Sequence, residues 1–390
     1  MFKNGQRVAT RMPQAFLGEI ALLYSCERTA TISNGDEVAS VLTLRAEHLQ
    51  RMLDRVPDMR EQIEATQRSR MVYSFMVLSG LFDQQSQTEE ATAAQCAAIA
   101  ECVTVRSVPA GTVLCEAHER NSEFLMLYQG TLSRTRHGSD KAVDGSGDGA
   151  TTAEQTLSPG AYAGGIAMLR LDGTSERIVA SAACLLLVAD GSTGFFDLLR
   201  EAPALHAELL LRAFGPKAPL SAFLECPRGF AALQAHQKQE FASESSEFWR
   251  DTSAFISASK AEDADAAALL SQATRLGEMY IREGAEREVN ISSAVQKACL
   301  AKLTETPLDA ALFDASRSEI YSLMRRDTLP RFLSGERFTR LIEGLGEALV
   351  MNDCEPPASL EAARAAYAAL QGKAAGEPYS PYYSQSEPAS

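Results

Sequence analysis

The chain has 390 residues, a formal net charge of −14, 45% hydrophobic and 23% charged residues. At about 150 residues per domain this predicts two to three domains, each able to bury its own core. The acidic balance excludes general nucleic-acid binding, which needs a basic surface. The densest apolar run, Ala182 to Ala189, is far short of the roughly 20 residues of a membrane span.

The first fifteen residues carry Lys3, Arg7 and Arg11 but no apolar stretch, so a secretory signal is not expected. Residues 16–32 read FLGEIALLYSCERTATI, where Gly18 and Glu19 open a short apolar turn and Arg28 follows Glu19 by nine residues. Amides at a helix start and a guanidinium suit an anion, and a carboxylate accepts from hydroxyls. The same pair also suits an ordinary surface contact. Further on, Cys102 to Val108 reads as a strand and Pro109-Ala110-Gly111 as a turn. Phe124 to Tyr128 and Thr131 to Arg136 are expected to form a hairpin about Gln129-Gly130. Gly138 to Thr152 reads as a surface insertion, and Ile178 to Ala189 as one apolar, β-branched run. Short strands at this spacing predict a sandwich or jelly roll.

Residues 218–344 read as helix after helix. Leu269, Ala273, Leu276 and Tyr280 share one helical face, as do Phe313, Ile320, Leu323 and Met324. Thr328 is expected to cap a helix with Pro330 in its first turn. Trp249, the single tryptophan, is expected to anchor the core beside Phe248. A last helix is expected over Leu360 to Leu370, then a disordered tail from about residue 373. The eight cysteines form no CxxC pair, so reduced thiols and no metal site are expected.

Three constellations carry family resemblance. Gly18, Glu19, Ala21, Leu22, Arg28, Ala30 and Thr31 resemble the phosphate-binding cassette of cyclic nucleotide-binding domains. The resemblance implies Glu19 on the ribose 2′-hydroxyl, Arg28 on the cyclic phosphate and Thr29 favouring cGMP over cAMP. Leu17 and Glu27 depart from the family pattern. Fewer residues precede Phe16 than such a barrel places before its cassette, so this copy is expected to be the C-terminal part of a domain. Residues 71–200 resemble a second copy whose cassette falls at Pro159 to Ser181. There Gly165 stands in place of the carboxylate and Arg177 follows by twelve residues. A weakened or lost ligand and a docking or transmitting role are expected.

Residues 220–344 resemble the RGS domain, the regulator of G protein signalling module. The matching pieces are Glu240 to Trp249, Glu288-Val289-Asn290-Ile291, Phe313-Asp314-Ala315, Ile320 to Asp327 and Arg331-Phe332-Leu333. The resemblance implies Glu240, Glu244, Ser245, Asn290, Leu323, Asp327 and Arg331 on the surface that grips a Gα subunit. Ser245 replaces the asparagine common at its place. From the residues alone, Asn290 also suits a helix cap and Asp327–Arg331 a surface ion pair.

The expected architecture is multidomain α+β, with β jelly-roll cyclic nucleotide-binding-like domains and an all-α RGS helical bundle. The expected bounds are 1–70, 71–215, 216–345 and 346–390. The expected function is regulation of heterotrimeric G protein signalling by binding Gα-GTP and accelerating its hydrolysis, with modulation by cGMP or cAMP. The chain is not expected to be an enzyme or to hold catalytic residues. The expected location is cytoplasmic, at the membrane periphery through Gα. The alternatives are a non-catalytic Gα-binding scaffold and a cyclic nucleotide sensor without GTPase-activating (GAP) activity.

Overall fold

The computed structural model describes residues 2–3, 6–7, 17–24, 26–28, 31–34, 38–81, 89–117, 122–136, 153–171, 176–192, 194–260, 264–305, 308–345 and 355–371. The expected insertion at 138–152 and the tail from about 373 lie outside the described residues. The chain divides into two compact units, one within 1–82, 87–202 and 357–390, the other within 83–86 and 203–356.

The first unit begins with a two-residue ladder of β1 (Phe2–Lys3) and β2 (Gln6–Arg7). Four helices follow: α1 (Glu19–Leu23), α2 (Ala46–Arg55), α3 (Pro57–Ser79) and α4 (Glu89–Glu101). The sheet strands are β3 (Thr104–Val108), β4 (Val113–Cys115), β5 (Glu123–Gln129), β6 (Leu132–Arg136), β7 (Ala153–Leu157) and β8 (Tyr162–Ala163). Helix α5 (Gly165–Arg170), β9 (Glu176–Ala180), β10 (Cys184–Asp190) and α6 (Gly194–Glu201) complete the series. They form two antiparallel sheets, in the orders β3-β10-β5-β8 and β4-β9-β6-β7. Alternation along β5 explains the layering. Leu125 and Leu127 face Leu132, Ile178, Leu186 and Val188 between the sheets. Phe124 points the other way and meets Phe195 of α6 at 5.4 Å. This is the expected jelly roll.

Two strand expectations are corrected. Strands β5 and β6 do not form a hairpin: β5 pairs with β10 and β8, and β6 with β7 and β9. Gly130, at φ +92, turns the chain from one sheet to the other. A Cβ there would lie 2.7 Å from the Cys184 thiol. The run from Ile178 to Ala189 is likewise two strands, β9 and β10, on different sheets. The bend at Ser181-Ala182 separates them, with the Ser181 amide donating to Thr131 O at 2.9 Å.

The second unit is helical: α7 (Pro203–Phe214), α8 (Leu220–Glu225), α9 (Pro227–Gln239), α10 (Glu244–Ser259) and α11 (Ala266–Leu276). Then come α12 (Ser293–Lys302), α13 (Asp314–Leu323), α14 (Leu329–Leu333) and α15 (Glu336–Gly344). An edge-to-face aromatic core holds them: Phe248 to Phe313 at 6.2 Å, Phe255 to Phe313 at 5.4 Å, and Phe223 to Phe332 at 5.6 Å. Phe248, Thr252 and Phe255, spaced four and three apart on α10, are all fully buried. The helices of this unit begin with α7 at Pro203, so residues 203–215 belong to it. The reason is α7: its buried Glu208 accepts from Arg228 of α9 through Nε at 3.1 Å and Nη2 at 2.6 Å.

Two helical expectations are also corrected. Thr328 is not an N-cap, since it has helical φ −69 and ψ −47 and makes no side-chain cap bond. A π-turn over Met324–Thr328 carries α13 directly into α14. A proline in a helix removes one amide and crowds the carbonyl four residues back, and a widened turn absorbs both. Trp249 is half-buried, whereas Phe248 fills the core. The Arg317 guanidinium covers the Trp249 ring at 3.9 Å. The final helix, α16 (Leu360–Gln371), belongs to the first unit: Tyr367 meets Phe196 at 5.7 Å, and Arg364 pairs with Asp197 at 3.0 Å.

Candidate functional site

In the helical unit, three separated segments meet through polar contacts. Arg331 donates to both carboxylate oxygens of Glu240, Nε at 2.8 Å and Nη2 at 3.0 Å, and its Nη1 donates to Asp327. Asp327 lies in the π-turn and Arg331 in α14, so the widened turn sets the spacing at which one guanidinium serves two carboxylates. Arg331 holds Glu240 and Asp327 below the usual carboxylate range and is itself raised by them. His236 of α9 packs at a tilt against Phe332 at 5.6 Å and places its Nε2 3.4 Å from Glu240.

Asn290 stands on a loop braced at both ends. Val289 is 3% exposed, and its amide donates to Tyr280 O at 3.0 Å. Arg287 bridges to Glu247 in the first turn of α10 at 2.9 Å. On the far side, Ser292 donates to Glu319 of α13 through its amide at 2.6 Å and its hydroxyl at 2.7 Å. Glu319 lies one turn before Leu323, which is half-buried. The loop is therefore tied to α10 and α13 together. Asn290 itself is exposed, and its amide makes no hydrogen bond among the described residues. The cap of α12 is Ser292, whose Oγ accepts from Val295 N at 3.4 Å. That removes the cap role open to Asn290.

Glu244 begins α10, and burial, then Glu247, push its carboxyl up. Ser245 is 5% exposed, so its side chain points into the bundle. Position 245 thus presents little surface. The Asp327–Arg331 pair is the one expected, whereas the links of Arg331 to Glu240 and of Glu240 to His236 were missed, because Glu240 and Arg331 are 91 residues apart.

In the first unit, Gly18 takes φ +88 at the start of α1. Arg28 Nη1 donates to Gly18 O at 2.9 Å, in the space a Cβ at Gly18 would occupy. Glu19 Oε1 meets Arg70 of α3 at 3.5 Å. Its other oxygen, Oε2, is buried without a hydrogen-bond partner among the described residues. Thr29 lies outside the described residues. The second cassette differs. Gly165 has no side chain to offer, and Arg177 Nε is paired with Glu116 at 3.0 Å. Inside that barrel, Arg134 is 3% exposed at its side chain, bonded to Gln155 and 3.4 Å from Glu176.

Among the described residues, no group of acidic, histidine and cysteine side chains is placed to hold a metal. No described helix is long and apolar enough to cross a membrane.

Residues 220–341 match the family model of the regulator of G protein signaling domain. The human protein named Regulator of G-protein signaling 8 is 34% identical over 114 residues, 29% of this chain and 59% of that protein. The rat Regulator of G-protein signaling 16 is 32% identical over 130 residues, 33% of this chain and 60% of that protein. The chain thus spans about three-fifths of the length of these relatives. Among solved structures, the regulatory domain of Toxoplasma gondii PKA with cAMP is 21% identical at TM-score 0.30, covering 49% of this chain and 65% of that one. PKAR CBD2 bound to Sp-2Cl-cAMPS is 16% identical at TM-score 0.28, covering 36% and 84%.

Proposed function

Starting from an RGS domain at residues 220–341, we propose that this chain binds a Gα subunit and accelerates its GTP hydrolysis. One observation carries the reading: Asn290 is exposed on a loop braced to α10 and α13, with its amide unspent. A rigid donor and acceptor held ready for a partner suits stabilisation of one partner geometry over another. A Gα subunit already holds its own arginine and water-orienting glutamine. This chain then needs no acid or base. It speeds the reaction by binding the switch segments best in their transition-state geometry. The Glu240–Arg331–Asp327 network would keep the flanking carboxylates in fixed positions against those segments.

The test is single-turnover GTP hydrolysis by a panel of Gα subunits with the full chain and its Asn290→Ala variant. Acceleration by the full chain and its loss in the variant support the proposal. Binding of a transition-state mimic without acceleration leaves a sequestering scaffold. No binding to any Gα subunit overturns both readings.

A second reading, additional to the first, concerns the first unit. The buried, unpartnered Glu19 Oε2 favours a hydroxyl-bearing ligand beside Arg28. That ligand would be a cyclic nucleotide, cGMP or cAMP, with Glu19 on a ribose hydroxyl and Arg28 on the phosphate. Calorimetric titration of the full chain with each nucleotide tests it. Binding abolished by Arg28→Ala supports it, and no heat from either nucleotide overturns it. The second cassette, with Gly165 and the Arg177–Glu116 pair, would not contribute.

A further inference from the structure

His236, in the last turn of α9, faces Glu240 one turn on, with Nε2 3.4 Å from Oε1. That nitrogen is buried and makes no hydrogen bond among the described residues. Its neighbour Gln237 is 0% exposed, and both its side-chain oxygen and its nitrogen are likewise without hydrogen-bond partners there. Buried polar atoms are ordinarily paired, because each gives up its water on folding. Here three of them fall in the turn of α9 that leads to Glu240. An apolar pair would fill the same space at no such cost, so packing alone does not account for an imidazole at position 236.

The charge around the ring is uneven. Arg331 Nε already donates to the same Glu240 oxygen at 2.8 Å, and Arg331 also serves Asp327. With the imidazole neutral, one cation answers two carboxylates. With a proton added, Nε2–H becomes a second donor to Oε1 and the cluster is balanced. Histidine is the side chain whose charge ordinarily changes between about pH 5 and 8. Arg331 holds Glu240 and Asp327 below the usual carboxylate range, so both stay ionised through that interval. Other charged groups of the helices packed on α9 are engaged elsewhere: Glu208 of α7 with Arg228, Arg250 of α10 over the Phe230 ring at 5.8 Å, and Arg337 of α15 with Gln239 at 3.2 Å. Glu225 closes α8 and Glu244 opens α10, and burial raises both carboxyls.

We propose that His236 is a positioning residue for Glu240 and makes the partner face proton-sensitive: neutral, it leaves the Glu240 carboxylate available to the Gα subunit, and protonated, it draws that carboxylate onto α9 and weakens binding. This rests on the proposed Gα reading and adds a means of regulation to it. A carboxylate only accepts, so a partner must bring donors to it. A proton on His236 competes with those donors and removes one unit of negative charge from the cluster. Binding therefore releases a proton, and affinity rises with pH.

The test measures the Kd of the full chain for a Gα subunit loaded with GDP and aluminium fluoride, from about pH 8 to about pH 6, with wild type, His236→Gln and His236→Phe. Wild-type binding is expected to weaken at least about fivefold across that range. Both variants lack the titrating ring and are expected to lose this slope, and their profiles carry whatever pH dependence belongs to Gα or to Glu244. Calorimetry of the wild type in buffers of different ionisation enthalpy gives the released proton directly and needs no variant. A slope shared equally by wild type and variants, or no proton released near about pH 6.5, overturns this proposal and leaves the Gα reading standing. No binding by the wild type at any pH overturns the Gα reading and this proposal with it.

Discussion

Arg331 and Glu240 form a two-point ion pair across 91 residues of sequence, with Asp327 on the third arm of the same guanidinium. Both carboxylates are held below their ordinary values of 4.5 and 3.8. A carboxylate with a depressed folded-state pKa stabilises the fold above its unfolded value, and that contribution is lost as pH falls through the folded value. The Tm gap between wild type and Arg331→Leu is therefore expected to be constant near neutral pH. It should close as pH drops below about 4.5. Paired thermal melts from about pH 7 to about pH 3 check this, and a gap that persists unchanged in acid would refute it.

Asn290 offers a separation of stability from function. Its amide is exposed and makes no hydrogen bond among the described residues, so Asn290→Ala is expected to change folding stability by less than about 0.5 kcal/mol. Its neighbour Ser292 caps α12 and bonds Glu319. Ser292→Ala is expected to cost about 1 kcal/mol. Urea melts give both values, and single-turnover GTP hydrolysis should show a large loss in the first variant. Equal destabilisation in the two would place Asn290 in the scaffold.

Local pattern reached some of this architecture and missed the rest for identifiable reasons. On the predicted face of Leu269, Ala273, Leu276 and Tyr280, the last three are buried and Leu269 is half-buried. The jelly roll was readable from short strands and glycine turns. Its pairing was not, because adjacent runs such as β5 and β6 look like a hairpin until Gly130 carries the chain to the other sheet. Thr328 before Leu329-Pro330 has the composition of a helix start, yet tertiary packing keeps Thr328 and Leu329 buried and the helix continuous. Trp249 and Phe248 are adjacent on one helix, so only one could face the core. Phe241 left no periodic signal, since its left-handed φ and its exposure come from the turn that closes α9.

Glu208 and Arg228 test whether α7 belongs energetically to the helical unit. The Glu208 side chain is 2% exposed and meets Arg228 through two nitrogens. Removing the arginine takes the cation from a buried carboxylate that still accepts from the Cys226 thiol, which costs about 1–3 kcal/mol. Arg228→Leu is expected to lose that much, and Glu208→Gln in the same background to recover part of it. Urea melts of the single and double variants measure the coupling. Strictly additive losses would show that the pair does not hold α7 in place.

Gly130 tests the sheet crossover in the first unit. Its φ of +92 disfavours any side chain, and a Cβ would sit 2.9 Å from Cys184 Cα, a backbone atom of β10 that cannot step aside. The strained backbone alone costs about 1 kcal/mol, and the collision adds to it. Gly111 is the internal control, because it also has positive φ, +84, but its added Cβ meets nothing within 4 Å. Gly130→Ala is therefore expected to lower Tm distinctly more than Gly111→Ala. Equal shifts in the two variants would mean that the close approach of β10 contributes nothing and that backbone conformation alone sets the cost.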